Sequence, residues 1–151
     1  WIFAKVPVKF PGIRIVLSEA GVSWVPMLLE RLQRSHRQLE TSLVWKAADP
    51  HPADLLLRNF RFASIEDPSA FRALDLIGVD NVMVECDYPH QDTTWPQCQR
   101  MIRSQLSGLE PSAVRQICFG NAASLFQHPL PPDELVAASA SAESRSSNSY
   151  S

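Results

Sequence analysis

Asn81-Val82-Met83-Val84-Glu85-Cys86-Asp87-Tyr88-Pro89-His90 is the stretch on which the fold turns. Val82, Met83 and Val84 make a short apolar, partly β-branched run of the kind that forms a buried strand. Pro89 has no N–H to give a sheet ladder, so the strand has to end near Asp87. A carboxylate at that end, followed by a Tyr-Pro-His turn, suits a site better than a core. In parallel α/β folds, ligands bind beyond the carboxyl ends of the strands.

The segments around it support a parallel sheet. Trp1 to Val6 reads as the end of a helix halted by Pro7, with Pro11-Gly12 as a turn. Ile13 to Leu17 reads as a strand suited to burial on both faces, as parallel strands require. Ser18-Glu19-Ala20-Gly21 is the loop at its C-terminal end. The spacing of Trp24, Val25, Leu28, Leu29 and Leu32 predicts a helix over 24–34, with Pro26 tolerated in its first turn. Residues 35–48 suggest a second, outer helix through Leu39, Leu43 and Val44. Pro52 to Arg58 forms a short helix, and Asn59 to Ile65 alternates like a strand. Asp67 is expected to cap a helix that has Pro68 at its first position. Phe71, Leu74 and Ile77 give that helix its apolar face, and Gly78 closes it. Beyond the Asp87 strand, Thr94 and Pro96 are expected to open a helix running to Ser107. Pro111 to Phe119 is the next, broken by Gly120, with Asn121 capping the last. Strand, helix, strand, helix, strand is the order of a parallel sheet.

Composition narrows the function classes. The 151 residues include 14 basic and 16 acidic side chains, a formal net charge of -2. With no basic stripe, nucleic acid is excluded as the expected partner. No apolar run approaches the roughly 20 residues of a membrane span. The start, Trp1-Ile2-Phe3-Ala4-Lys5-Val6, lacks the basic region and cleavage site of a signal peptide. Cys86, Cys98 and Cys118 are few and widely spaced, which suggests buried thiols in a reducing compartment, not a disulfide framework or a zinc knuckle, hence a cytoplasmic protein. The expected folded unit is 1–128. Residues 129–151, proline-rich and then Ser/Ala-rich, bury too little to order themselves and are expected to be a disordered tail.

Glu85-Cys86-Asp87-Tyr88-Pro89-His90-Gln91-Asp92-Thr93-Thr94-Trp95-Pro96 resembles the last-strand motif of the amidohydrolase-related family, the metal-dependent TIM-barrel hydrolases and decarboxylases. Ile15 to Pro26 resembles the family's sixth strand and following loop, and Gly120-Asn121-Ala122-Ala123-Ser124-Leu125-Phe126 its C-terminal helix. The resemblance implies an α/β fold: the C-terminal part, about strands six to eight, of a (β/α)8 barrel, with parallel strands and outer helices. It implies that Asp87 ligates a divalent metal ion, zinc first and manganese as the alternative, and acts as acid and base. The family's other ligands lie on its first and fifth strands, upstream of this chain. The chain is therefore read as a fragment that is inactive alone, part of an enzyme that hydrolyses or decarboxylates a small organic molecule bearing a carboxyl, ester or lactone.

Particular residues carry that expectation, each beside a plainer role. Asp87 offers a hard oxygen ligand and a proton shuttle; alternatively it caps the loop. His90 could contact substrate or support the metal, or only pack the loop. Glu19 ends its strand on the same rim, where the better-known decarboxylases carry a histidine. It could take a proton if burial raises its pKa, or pair with an arginine. Asp87, Glu19 and His90 form the expected catalytic set. Tyr88 and Trp95 are expected at the pocket mouth as substrate contacts, against simple anchoring. Glu85 shares parity with Asp87 and is expected inward in a structural role. Ile15, Leu17, Phe62 and Met83 are expected to line the barrel interior. Unpaired strand edges favour self-association into a homo-oligomer. A non-catalytic barrel segment that binds or assembles is the rival, with Asp87 as a loop cap.

Overall fold

The computed structural model describes residues 1–39, 45–130 and 132. Three strands, β1 (Ile15–Leu17), β2 (Phe60–Ser64) and β3 (Val82–Val84), form one parallel sheet in the order β1-β2-β3. Ile15 pairs with Phe60 and Leu17 with Phe62; Phe62 also pairs with Val82, and Ser64 with Val84. Parallel neighbours need a crossover. Between β1 and β2 the crossover contains α2 (Val25–Leu39) and α3 (Pro52–Asn59). Between β2 and β3 it contains a 3-10 turn (Ala70–Ala73) and α4 (Leu74–Ile77).

The register sorts side chains onto two faces, since strand residues alternate. Phe60, Phe62 and Val82 sit in the core with Val25, Leu29, Leu55, Ile77 and Ile117, and Ile15 and Leu17 pack against it. Trp24 meets Phe62 edge to face with ring centroids 5.7 Å apart. Val16, Arg61, Ala63 and Met83 alternate onto the opposite face. Met83 is therefore on the face away from the helices, whereas Ile15, Leu17 and Phe62 point toward them, not inward as expected. Period two separates the two sets, but it does not say which set the helices cover. On the inner face, burial and the nearby Arg14 hold the Arg61 guanidinium below its ordinary range.

Several local expectations are corrected. Pro7 starts a helix, α1 (Val6–Lys9), where its missing N–H removes no helical bond. α2 runs on to Leu39, so the first part of the anticipated outer helix is its continuation, and residues 40–44 lie outside the described residues. Asp67 does not cap a helix with its side chain: Oδ1 accepts from the Ser23 hydroxyl at 3.1 Å, and the chain enters a 3-10 turn instead. Gly78 does close α4, with φ 88° and its N–H on Leu74 O at 2.7 Å. Thr94 opens nothing; α5 (Cys98–Gln105) starts after Gln97. The tail expected over 129–151 lies outside the described residues except at Pro129, Leu130 and Pro132. Among the described residues, no helix is long and apolar enough to cross a membrane.

The C-terminal helices depart most from expectation. α6 (Pro111–Arg115), a π-helical turn (Gln116–Gly120) and α7 (Asn121–Phe126) follow without a break, and Gly120 has right-handed φ -59°. A Cβ there would overlap the Gln116 side-chain oxygen, so any larger residue would make that side chain shift. That Gln116 side chain donates to Asn121 Oδ1 at 2.6 Å, and Asn121 Nδ2 donates to the carbonyls of Val79 and Val82, both at 2.7 Å. Asn121 is a buried tether between helix and sheet, not a cap. Asn59 does the same work beside β1: it is fully buried and donates to Pro11 O at 3.1 Å and Ile13 O at 2.8 Å. At the surface, the Lys5 ammonium pairs with Asp49 at 2.5 Å and holds that carboxyl below the usual carboxylate range.

Candidate functional site

Both outer strands end in a residue with left-handed backbone. Glu19 follows β1 with φ 58°, and Asp87 follows β3 with φ 55°. Between them Glu85 acts as a brace. Its own N–H extends the ladder to Ser64 O at 2.9 Å. Its carboxylate accepts the Ser18 hydroxyl and the Glu19 N–H, the latter at 2.6 Å. One side chain thus ties the loops after β1 and β3, although β2 separates the two strands. Trp24 Nε1 donates to the carbonyls of Ala20 at 2.8 Å and Gly21 at 3.0 Å, holding the far side of the Glu19 loop. Gly21, at φ 65°, lets Asp67 approach so closely that a Cβ would stand 3.0 Å from its Oδ1.

Three candidate residues meet on this rim. Glu19, Asp87 and His90 each present a ligand atom, all within 4.8 Å of one another. His90 is turned back by its N–H on Asp87 O at 2.8 Å. Its Nδ1 lies 2.7 Å from Asp87 Oδ2, close enough for an ion pair. Apart from that contact, the buried Oδ2 has no hydrogen-bond partner among the described residues. Two carboxylates and an imidazole are a donor set that zinc or manganese accepts, and they do not select between them. Ligand atoms about 2.0–2.2 Å from one ion lie no more than about 4.4 Å apart. Small rotations of the exposed Glu19 and His90 side chains meet that limit, and the orphaned Oδ2 already faces the cluster. The residues fit a divalent cation.

A cleft of about 340 Å³ adjoins the rim, lined by Glu19, Glu66, Asp67, Asp92, Thr93 and Thr94 among others. Four of those side chains are acidic, and among the described residues no lysine or arginine lines it. Tyr88 and Trp95 stack edge to face with centroids 5.4 Å apart, both mostly exposed, and neither lines this cleft.

Sequence reasoning missed a second pairing. Cys86 and Cys98 have their sulfurs 2.8 Å apart, and Thr93 Oγ1 lies 3.5 Å from Cys86 Sγ. Hydrogen bonding from Cys98, then from Thr93, holds the Cys86 thiol below its ordinary range, against burial and the neighbouring Asp87 charge. Cys118 is pushed up by burial alone. A separation of 12 positions gave no signal, because the loop between the two cysteines folds back on itself. Glu85 could be placed inward by parity, but its partners come from a distant loop.

Comparison with known proteins follows the same lines. The amidohydrolase family model matches residues 1–127. No curated protein sequence matches significantly. Among solved structures, the chain is similar to 5-carboxyvanillate decarboxylase from Sphingomonas paucimobilis, with 26% identity and TM-score 0.69 over 83% of this chain and 37% of that one. It is similar to an amidohydrolase from Mycobacterium avium subsp. paratuberculosis, with 25% identity and TM-score 0.69 over 82% of this chain and 30% of that one. A dihydroxybenzoic acid decarboxylase from a Polaromonas species, solved with manganese and 2-nitroresorcinol, shares the fold at TM-score 0.66 and 18% identity, over 83% of this chain and 37% of that one. The chain thus spans about a third of the length of these proteins, and its three parallel strands with outer helices correspond to part of a TIM barrel. One family model covering almost all of the described residues, on the strand order that the fold displays, shows that the chain belongs to the amidohydrolase family.

Proposed function

We propose that this chain carries the Asp87 rim of a metal-dependent hydrolase or decarboxylase acting on a small organic substrate, and that Glu19, Asp87 and His90 hold its divalent cation. The observation behind this is the convergence of those three ligand atoms within 4.8 Å at the carboxyl edge of a parallel sheet. A bound divalent ion supplies a Lewis acid that polarises a substrate oxygen or lowers the pKa of water. Asp87 contributes a carboxylate whose buried oxygen is in contact with His90 and has no hydrogen-bond partner among the described residues. Glu19, exposed on the rim, is placed to take or return a proton, and Glu85 fixes the backbone from which it projects. His90 completes the set from the turn that Asp87 itself anchors.

The acidic cleft disfavours a substrate carboxylate, a repulsion that a bound cation would offset, whereas a neutral ester or lactone meets none. The remaining ligands belong to barrel strands outside this chain, with zinc first and manganese second. The decarboxylase among the neighbours above 25% identity supports carboxy-lyase chemistry, while Glu19 in place of a histidine keeps hydrolysis beside it. A cytoplasmic location, self-association through strand edges and activity only in the complete barrel belong to the same proposal. Titration of the complete barrel with Mn²⁺, followed by calorimetry, tests it. One ion should bind per chain, and Glu19→Gln and His90→Gln should each weaken binding. Absence of binding, or binding that neither substitution changes, returns Asp87 to a loop cap.

A further inference from the structure

We propose that Cys86 and Cys98 form a dithiol–disulfide pair that exchanges with small disulfides of the glutathione type and closes the Asp87 loop. Their sulfurs, 2.8 Å apart, need to move by less than about 1 Å to reach the roughly 2.05 Å of a disulfide. The approach is built into the loop. The Thr93 hydroxyl donates to Cys86 O at 2.6 Å and accepts from Trp95 N at 3.1 Å, folding the chain back so that Cys98 returns to Cys86. Cys98 opens α5, whose far end is fixed by Gln105: its Oε1 accepts from Asp67 N at 2.6 Å and its Nε2 donates to Ile65 O at 3.2 Å. Cys86 follows the ladder residue Glu85. Both sulfurs therefore sit on anchored backbone, and both residues are partly exposed.

The chemistry balances as two exchanges. One cysteine thiolate attacks a sulfur of oxidised glutathione, that S–S bond breaks, and one glutathione leaves as its thiolate. The other cysteine thiolate attacks the protein sulfur of the mixed disulfide and displaces the second glutathione. Two protein thiols are oxidised, one glutathione disulfide is reduced to two thiols, and the two protons pass from the cysteines to the glutathiones. The new bond encloses Asp87 and His90. Bond formation does not depend on their binding a cation, so failure of the metal proposal leaves it standing.

The test is incubation with excess oxidised glutathione, an alkylating quench, thiol counting and peptide mapping without reduction. Two of the three thiols should be lost. One peptide should link Cys86 to Cys98 with no glutathione retained, and Cys118 should be alkylated. Hydrogen exchange over 87–97 should slow several-fold in the oxidised chain. In Cys98→Ser, Cys86 should stop at the mixed disulfide. Should that variant fail to fold, Cys118→Ser must still form the bridge. Retained glutathione on the wild-type chain, a bond involving Cys118, a bond between two chains, or three unreacted thiols each overturns the proposal.

Discussion

Replacing Asp87 with asparagine is expected to weaken Mn²⁺ binding by at least about 100-fold, beyond the 10–100-fold typical of outer-shell partners. The fold should survive. Asp87 has φ 55°, and asparagine tolerates that left-handed conformation as well as aspartate does. The amide keeps the size of the carboxylate. What it loses is the negative charge that attracts a cation and the basicity that takes a proton. The ion pair with His90 also goes, but that histidine side chain is 61% exposed and such pairs contribute about 0–1 kcal/mol. Calorimetric titration and thermal unfolding, run on the same preparation, separate the two effects. Unchanged affinity would remove Asp87 from the ligand set, and a collapsed transition would make its role structural.

Asn121→Ala is expected to lower the free energy of unfolding by about 1–3 kcal/mol, the cost of a buried polar group left without its partner. The buried carbonyl of Val82 loses its Asn121 donor and the Gln116 amide loses its acceptor, while the Val79 carbonyl keeps the N–H of Val82. Against a typical domain stability of about 5–15 kcal/mol, this is a large fraction. Asn121→Asp should be at least as damaging, since an ionised carboxylate cannot donate to either carbonyl. Chemical denaturation of the two variants gives the answer. A change within about 0.5 kcal/mol, the range of an ordinary surface substitution, would reduce Asn121 to an incidental contact.

The strands were legible because their signals are local and strong. Val82 to Val84 and the run ending at Leu17 are apolar and bounded by breakers, and Phe60 to Ser64 shows the alternation of a strand. The rim was legible too, in that Glu19 and Asp87 each close such a run and the sheet brings them to one edge. Helix ends were less so. Pro7 and Thr94 look like boundary markers, and each is overridden by how the chain packs. Gly120 looks like a breaker because sequence alone cannot show the Gln116 side chain that fills the space of its absent Cβ. Asn121 looks like a cap because its two carbonyl partners lie about forty residues away. The inward and outward faces of β1 and β2 were exchanged for a similar reason: alternation is encoded in the strand, but the layer that covers it is encoded elsewhere.

The left-handed backbone at Glu19 sets stability against function at a single position. A non-glycine residue there carries a penalty of about 1–2 kcal/mol that glycine avoids, partly returned through glycine's greater freedom in the unfolded chain. Glu19→Gly should therefore leave the melting temperature equal or slightly raised while, on the proposed ligand set, cation binding weakens as it does in Glu19→Gln. On folding grounds alone glycine would serve that turn at least as well, so the Glu19 carboxylate is carried at a small cost in stability.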